Sequence, residues 1–324
     1  MKAIVYTQYG SPDVLQLREL AKPEPKDDQV LVKVQAASAN ALDYRRFEKL
    51  SAMDRLMQEK VFKSVGKAIG ADIAGIVEAV GANVKQFRPG DDVFGVAAGM
   101  KGGFAEYVCA VENKLALKPQ NLSFEAAAAV PVAGVTALQG LRNKGRVQPG
   151  QTVLVNGAAG GVGTFAVQIA KAFGAEVTAV CSARNLDMAR SIGADHVIDY
   201  AREDFTQGSQ RYDLIFAVNG FHPLSAYQRA LNPQGTYICA GGSLPQIFQA
   251  MFAGPLKSRR NGKRLASMGI ATVTQKDLLC LKELLEAGKI APVIEKNYPL
   301  SDVPVAMRYL ADGHARAKIV FQIG

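Results

Sequence analysis

At 324 residues the chain is too long for one ordinary core and suits two domains of common size. Its 48% hydrophobic and 21% charged residues exclude a disordered or fibrous protein, and no apolar run is long enough or charge-free enough to cross a bilayer. The formal net charge of +9 is compatible with an anionic ligand or with a nucleic-acid or membrane surface. The densest basic run, "KSRRNGKR" at residues 257–264, holds no aromatic residue for base stacking, so it reads as a solvated loop and no nucleic-acid partner is expected.

The amino terminus, "MKAIVYTQYG", starts at once with a strand-like pattern and offers no signal-peptide core, so a cytoplasmic protein is expected. Up to about residue 120 short alternating runs follow one another: "MKAIVYT", "QVLVKVQA", "AGIVEAV" and "FAEYVCAV", separated by turn signals such as "GSPD", "GANV" and "RPGDD". That grammar suits antiparallel sheet wound into a barrel-like unit. One stretch breaks it. Within residues 46–67 the apolar Phe47, Leu50, Met57, Val61 and Val65 recur at helical spacing, which predicts a helix or two inserted into the β unit. Its basic excess would favour acidic or amphiphilic substrates if it shaped a pocket. The four cysteines, Cys109, Cys181, Cys239 and Cys280, lie far apart and form no CxxC pair, so free buried thiols are expected rather than disulfides or a zinc knuckle.

From Ser123 onward helices and strands alternate. "TVLVN" reads as a strand, residues 161–173 as a helix stopped by Gly174, "EVTAVC" as a strand, "NLDMARSI" as a helix stopped by Gly193, and "HVIDY" as a strand. "YDLIFAVN", a helix through "PLSAYQRAL" and "GTYICAGG" continue the pattern. Such alternation implies parallel pairing with right-handed crossovers, hence a doubly wound sheet. "RLASMGIATVT" is read as an edge strand available for pairing in a homodimer, and "AKIVFQIG" as a final strand that returns to the first domain.

Residues 155–174, "VNGAAGGVGTFAVQIAKAFG", hold five glycines in a span that begins as a strand and ends as a helix, four of them at the corner between the two. The string Ala158-x-Gly160-x-x-Gly163 is the dinucleotide fingerprint with alanine at its first place. Small residues permit the tight turn, the approach of backbone to a pyrophosphate, and close packing of helix on strand. Ala158, Ala159, Gly160, Gly161, Val162 and Gly163 are therefore expected to bind the cofactor, with the helix amino terminus facing its phosphates. NAD-binding chains end the second strand with a carboxylate for the ribose 2′-hydroxyl, whereas "VCSARN" supplies Ser182 and Arg184. A hydroxyl and a guanidinium suit a 2′-phosphate, so NADPH is expected. Ligands of such sheets sit at the carboxyl ends of the strands, which adds Tyr200, Asn219, Gly241 and Gly242 to the cofactor contacts.

The order of a β-rich domain, "GAAGGVG", "GADHVIDY" and "GHARAKIVF" resembles the medium-chain dehydrogenase/reductase superfamily, in its zinc-free quinone oxidoreductase and alkenal reductase branch, with "AASANALDY", "AVPVAGVTALQ" and "CSARN" strengthening the likeness. The resemblance implies an α/β chain with a GroES-like β-barrel catalytic domain at residues 1–122 and 291–324, and a doubly wound Rossmann nucleotide-binding domain at 123–290. A cleft between them would bring nicotinamide to substrate. Zinc-dependent members place ligands where this chain has Asn40, Ala71-Asp72 and, close to the nucleotide domain, Val132. With His196, His222 and His314 all elsewhere, no zinc or other metal is expected. By the same resemblance Asn40 lines the site, Asp43 braces its loop, Thr136 contacts the nicotinamide end, and Tyr44 or Arg45 polarises the substrate oxygen. Ala317 stands where the family's terminal motif carries glycine.

Hydride transfer then goes to a small-molecule quinone or to the activated C=C of an α,β-unsaturated carbonyl, and the residues do not separate these two. Three rivals stay open. One is metal-free alcohol oxidation. The others keep the fold for NADPH sensing or for RNA or anionic-membrane binding.

Overall fold

The structure is a computed structural model that describes residues 1–48, 68–242, 262–313 and 315–324. The chain divides into two compact units, one of Met1–Val132, Val273–Lys282 and Pro292–Gly324, the other of Ala133–Thr272 and Glu283–Ala291.

In the first unit the strands are β1 (Lys2–Tyr6), β2 (Leu15–Glu19), β3 (Gln29–Ser38), β4 (Asp72–Val80), β5 (Asp92–Val96), β6 (Tyr107–Val111) and β7 (Leu115–Leu117). The last stretch of the chain adds β14 (Ile294–Pro299) and β15 (Lys318–Gln322). β1 and β2 form a hairpin ribbon, and the others form a sheet in the order β14-β15-β3-β4-β5-β7, with β6 also on β3. β15 lies antiparallel on the end of β3, Val320 opposite Ser38 and Phe321 opposite Ala37. The alternating faces of β1 in the ribbon and of β3 and β4 in the sheet turn Ile4, Tyr6, Val32, Val34 and Ile73 into one core with Phe47, Phe104 and Phe321. Each such large side chain contributes about 2 kcal/mol by leaving water. A short helix, α1 (Ala41–Arg45), leaves the end of β3, and α2 (Phe124–Ala128) starts at Ser123, whose hydroxyl accepts from Ala126 N. Of the apolar residues of the expected inserted helix only Phe47 is placed, buried in this core; residues 49–67 lie outside the described residues.

The second unit begins on α3 (Pro131–Leu138), which runs on as a π-helical turn, and holds the strands β8 (Thr152–Asn156), β9 (Glu176–Cys181), β10 (His196–Asp199), β11 (Tyr212–Ala217), β12 (Leu231–Cys239) and β13 (Arg264–Ser267). They form a six-stranded parallel sheet in the order β10-β9-β8-β11-β12-β13. α4 (Gly161–Ala172), α5 (Leu186–Ser191) and α6 (Leu224–Ala230) make crossovers. α4 buries Phe165, Ala166, Val167, Ile169 and Ala170, and its buried Gln168 exchanges two hydrogen bonds with the backbone of Ala291 at 2.8 and 2.9 Å. This is a doubly wound Rossmann-type sheet, and the reversal of strand order at β8 fixes where its ligand loops gather. α7 (Gln275–Glu286) and α8 (Val303–Ala311) complete the described helices.

The stretch 257–261 of the basic run is outside the described residues. In its remainder, Lys263 Nζ donates to the carbonyls of Gln228 and Leu231, both at 2.8 Å, so this lysine is committed to a chain turn.

Candidate functional site

The strand ends of the second unit are in register: Asp199 pairs with Cys181, Val180 with Asn156, and Ala217 with both Asn156 and Cys239. The loops that follow therefore leave the sheet side by side. At the first of them Asn156 closes β8; its carbonyl accepts Val218 N at 2.9 Å and Asn219 N at 3.2 Å, and its side-chain Nδ2 donates to Tyr227 Oη at 3.1 Å. Gly157 takes φ +86, and a Cβ there would stand 2.8 Å from Asn219 N. Gly157 N and Ala158 N both donate to Val180 O.

Past Ala159 the glycines of the turn behave differently. Gly160 is the N-cap of α4, and a Cβ on it would meet nothing nearer than 3.8 Å. Gly163, by contrast, faces Gly157 O so closely that a Cβ would come within 2.1 Å. Its smallness serves helix-on-strand packing, whereas that of Gly160 leaves open room. The first intrahelical bond is Thr164 N to Gly160 O at 2.9 Å, so the N–H groups of Gly161, Val162 and Gly163 precede the ladder and, with the positive end of the dipole, suit an anion.

The end of β9 leads into a 3-10 turn carrying exposed Arg184. Ser182 Oγ accepts from Asn185 Nδ2 at 2.9 Å. Asn185 is buried, and its Oδ1 has no hydrogen-bond partner among the described residues. The sequence reading passed over this residue. An unfilled buried acceptor beside Ser182 fits a ribose hydroxyl, and its only signal in the sequence is a polar amide directly after the basic residue. Neighbouring Cys181 is inert, its thiol pushed up to about 11 by burial and then by the charge of Asp199.

Tyr200 follows β10 and is 64% exposed, with its backbone N on Cys181 O at 3.2 Å. Asn219, exposed after β11, folds its Oδ1 back onto Gly220 N at 2.9 Å. After β12, a Cβ on Gly241 would lie 2.4 Å from Val218 O, and Gly242 takes φ +102. These positions and the glycine turn thus share one edge of the sheet. Thr136 sits half-buried on α3 and belongs to no strand end.

In the first unit, Asn40 is the N-cap of α1 and donates its backbone N–H to Asp43 Oδ2 at 2.9 Å. Its side chain is drawn elsewhere. Nδ2 donates to Asp72 Oδ2 at 2.9 Å and Oδ1 accepts from Lys318 Nζ at 2.8 Å. Asp72, at the start of β4 and fully buried, also accepts from Ser38 Oγ at 2.8 Å, from Val132 N at 2.9 Å and from Lys318 Nζ at 3.2 Å. Asp43 is buried as well, its Oδ1 without a partner among the described residues, and its carboxyl is pushed up to about 7, first by burial and then by the charge of Asp72. The charges of Arg46 and Lys318 and the Asn40 N–H act against that shift.

Tyr44 packs half-buried with its ring edge-on to Phe47 at 5.3 Å. Burial, then Glu48 and Asp312, raises its phenol pKa, so it remains a donor through the physiological range. Arg45 is exposed, while Arg46, unmarked in the sequence reading, is buried with its guanidinium on Met100 O at 2.8 Å. Arg46 therefore fixes the loop beside α1, and Arg45 sits on its outer face.

The donor set does not fit a catalytic zinc. Asn40 and Asp72 are cross-tied, Val132 contributes a backbone N–H, and a buried ammonium stands among them. Among the described residues no group of three or more His, Cys, Asp or Glu is placed to hold a metal ion, and no helix is long and apolar enough to cross a membrane.

Residues 26–120 match the alcohol dehydrogenase GroES-like domain, and residues 192–321 match the zinc-binding dehydrogenase domain. The chain is 37% identical to the 2-methylene-furan-3-one reductase of Solanum lycopersicum, over 99% of this chain and 78% of that protein. It is 34% identical to the chloroplastic NADPH-dependent alkenal/one oxidoreductase of Arabidopsis thaliana, over 99% and 79%. The solved structure of the quinone oxidoreductase from Coxiella burnetii superposes with a TM-score of 0.87 at 31% identity, covering 100% of this chain and 99% of that one. With a GroES-like domain and a Rossmann-type domain in one chain, and relatives of this kind end to end, the chain belongs to the medium-chain dehydrogenase/reductase superfamily, in its quinone and alkenal reductase branch.

Proposed function

We propose that this protein is an NADPH-dependent oxidoreductase that reduces quinones or the activated C=C of α,β-unsaturated carbonyls, and that it does so without zinc. The observation that carries the proposal is the corner between β8 and α4, with its open Gly160, its helix N–H groups unfilled among the described residues, and Ser182 and Arg184 in place of a carboxylate. The names of the tomato, Arabidopsis and Coxiella relatives agree with it.

Gly161, Val162 and Gly163 would hold the pyrophosphate, Arg184 and Ser182 the 2′-phosphate, and Asn185 a ribose hydroxyl; Tyr200, Asn219, Gly241 and Gly242 border the nucleotide, and Thr136 its nicotinamide end. NADPH bound there supplies a hydride. In the first unit Asn40 has a second Nδ2 hydrogen with no bond among the described residues, and Tyr44 has a phenol O–H in the same condition. These two donors hold the substrate oxygen as it gains negative charge. Asp43 caps the helix that carries them, and Arg45 on the outer face draws the partially negative substrate oxygen toward the loop. In an enone the hydride goes to the β carbon and the enolate then takes a proton from water at the α carbon. In a quinone the hydride adds to the ring, the oxyanion so formed takes one proton from water, and the added ring hydrogen then moves as a proton to the other oxygen, which gives the hydroquinone.

A homodimer paired along β13 and a cytoplasmic setting belong to the same proposal. Loss of reduced-nicotinamide absorbance is followed with NADPH and NADH separately against a small quinone, a short 2-alkenal and a simple ketone. Turnover with NADPH and either of the first two is the expected result. Tight NADPH binding with no turnover on any of them overturns the reductase in favour of a nucleotide sensor.

A further inference from the structure

Lys318 opens the last strand of the chain and is 2% exposed. A buried ammonium is tolerated only when its N–H groups are filled. Here all three are, by Ala39 O at 2.9 Å, Asn40 Oδ1 at 2.8 Å and Asp72 Oδ2 at 3.2 Å. The bond to Asn40 decides which way that carboxamide faces. With its oxygen committed to an ammonium, Nδ2 is directed to Asp72, and a second Nδ2 hydrogen is left over.

The anchor is held under strain. Ala317, immediately before Lys318, sits at φ +50, a left-handed conformation that residues with a Cβ rarely adopt. Such outliers persist where the surroundings over-determine them. The β15 ladder onto β3 on one side and the three bonds of Lys318 on the other do so here.

We propose that Lys318 is a positioning residue for the reduction: its ammonium holds the Asn40 carboxamide in the one orientation that keeps an N–H, rather than a carbonyl oxygen, available to the substrate oxygen. The inference rests on the reading that Asn40 contacts substrate. Without Lys318 the carboxamide keeps one anchor, the Nδ2–H bond to Asp72, and its Oδ1 loses the ammonium, so the amide is no longer held at both ends and turns in search of another donor for its oxygen. An Asn40 that has turned no longer aims its second N–H at an oxygen that is gaining charge, and the stabilisation is lost where it is needed. Lys318 also offsets the negative charge of Asp72, with Asp43 and Arg46 the other charged side chains in this cluster. The test separates holding from neutralising.

The variants are Lys318→Met, Lys318→Arg and the double variant D72N/K318M. The readouts are kcat and KM for the quinone or alkenal, the Kd for NADPH, and the side-chain amide signals of 15N-labelled asparagine, with Asn40 assigned from its own Asn40→Ala variant. Lys318→Met is expected to lower kcat about a hundredfold, the effect of losing one well-oriented contact, with the NADPH Kd unchanged. Lys318→Arg recovers much of the rate. The two resolved amide protons of Asn40 broaden together in Lys318→Met and separate again in Lys318→Arg. Wild-type turnover in Lys318→Met overturns the proposal, and so does recovery in D72N/K318M, which would make Lys318 a charge balance for Asp72 and nothing more. Should Lys318→Met fail to fold, the double variant, which leaves no Asp72 charge without its cation, carries the same test. If the wild-type protein reduces none of the substrates, the function proposal fails, while the amide signals still report whether Lys318 holds Asn40.

Discussion

Replacing Asp43 by asparagine removes a titration that the fold makes unfavourable. The Asp43 carboxyl is raised from an ordinary 3.8 to about 7, mainly because burial penalises its charge and secondly because Asp72 is near. Below pH 3.8 it is protonated in folded and unfolded chains alike. Between 3.8 and about 7 the folded state keeps the proton and the unfolded state does not, so stability falls as pH rises through that window and levels off above it. Each pKa unit corresponds to about 1.4 kcal/mol, and the two units between pH 5 and 7 to about 3 kcal/mol. In Asp43→Asn an amide oxygen is still offered to the Asn40 N–H, held in the wild type at 2.9 Å by Asp43 Oδ2, and the side chain carries no charge at any pH. The advantage of the variant over wild type should therefore grow by about 3 kcal/mol from pH 5 to pH 8, read as urea-melt midpoints of the two proteins at several pH values. A difference between them that stays constant with pH would refute the reasoning. It would mean that Arg46 and Lys318 keep Asp43 ionised throughout, and that its burial carries no net penalty.

Arg184→Ala should lower the preference for NADPH over NADH by about tenfold or more, with NADH kinetics little changed, because a charge-assisted bond to a phosphate is worth about 1.5–3 kcal/mol; equal loss with both cofactors would count against Arg184 as the 2′-phosphate ligand. Gly160→Ala should leave the melting temperature unchanged yet weaken NADPH binding, since a Cβ there meets no protein atom nearer than 3.8 Å and fills only open room. Gly163→Ala should lower stability by about 2 kcal/mol or more even without nucleotide, because its Cβ would lie 2.1 Å from Gly157 O; thermal melts of both variants with and without NADPH distinguish the two roles. Ala317→Gly relieves the left-handed strain at φ +50. Offset by the extra freedom of glycine in the unfolded chain, the gain should be about 0.5 kcal/mol in a denaturant melt, and a loss would mean that the buried methyl matters more than the backbone.

The glycine corner was readable because each of its steric demands excludes side chains, and exclusion leaves a trace in the sequence. Gly163 has no room for a methyl group and Gly157 turns left-handed, so the string could hardly be written otherwise. The crossovers were readable for a similar reason: "TVLVN", "EVTAVC" and "YDLIFAVN" are continuous apolar runs, as strands buried on both faces must be. Lys318 left no such trace. Among "AKIVFQIG" a lysine predicts an exposed strand start, and only the distant partners Ala39, Asn40 and Asp72 make its burial tolerable. Arg45 drew attention by its place beside "NALDY", yet it is Arg46 that points inward, because a five-residue helix gives no periodicity from which to choose between adjacent positions.

The strand ends of the second unit and the cluster around Asp72 in the first treat their polar groups differently, and the contrast bears on where chemistry is possible. In the second unit the donors at the start of α4 and the Asn185 acceptor are left unfilled by the described residues at the strand ends, which suits a polar ligand. Around Asp72 in the first unit the polar groups are engaged: Asp72 accepts four hydrogen bonds, Lys318 donates three, and Asn40 commits its oxygen, one amide hydrogen and its backbone N–H, with Asp43 Oδ1 beside them lacking a partner among the described residues. A network so filled is rigid, and rigidity sharpens the direction of what is left over among the described residues, one Asn40 N–H. Preorganised donors need no rearrangement as charge develops on an oxygen, whereas loosely held ones lose part of their stabilisation in turning to face it. A buried salt bridge adds little to stability on its own. The Lys318–Asp72 pair is therefore better understood as fixing the direction of the adjoining amide than as holding the barrel together, and the double variant D72N/K318M, folded but slow, is the result that this argument requires.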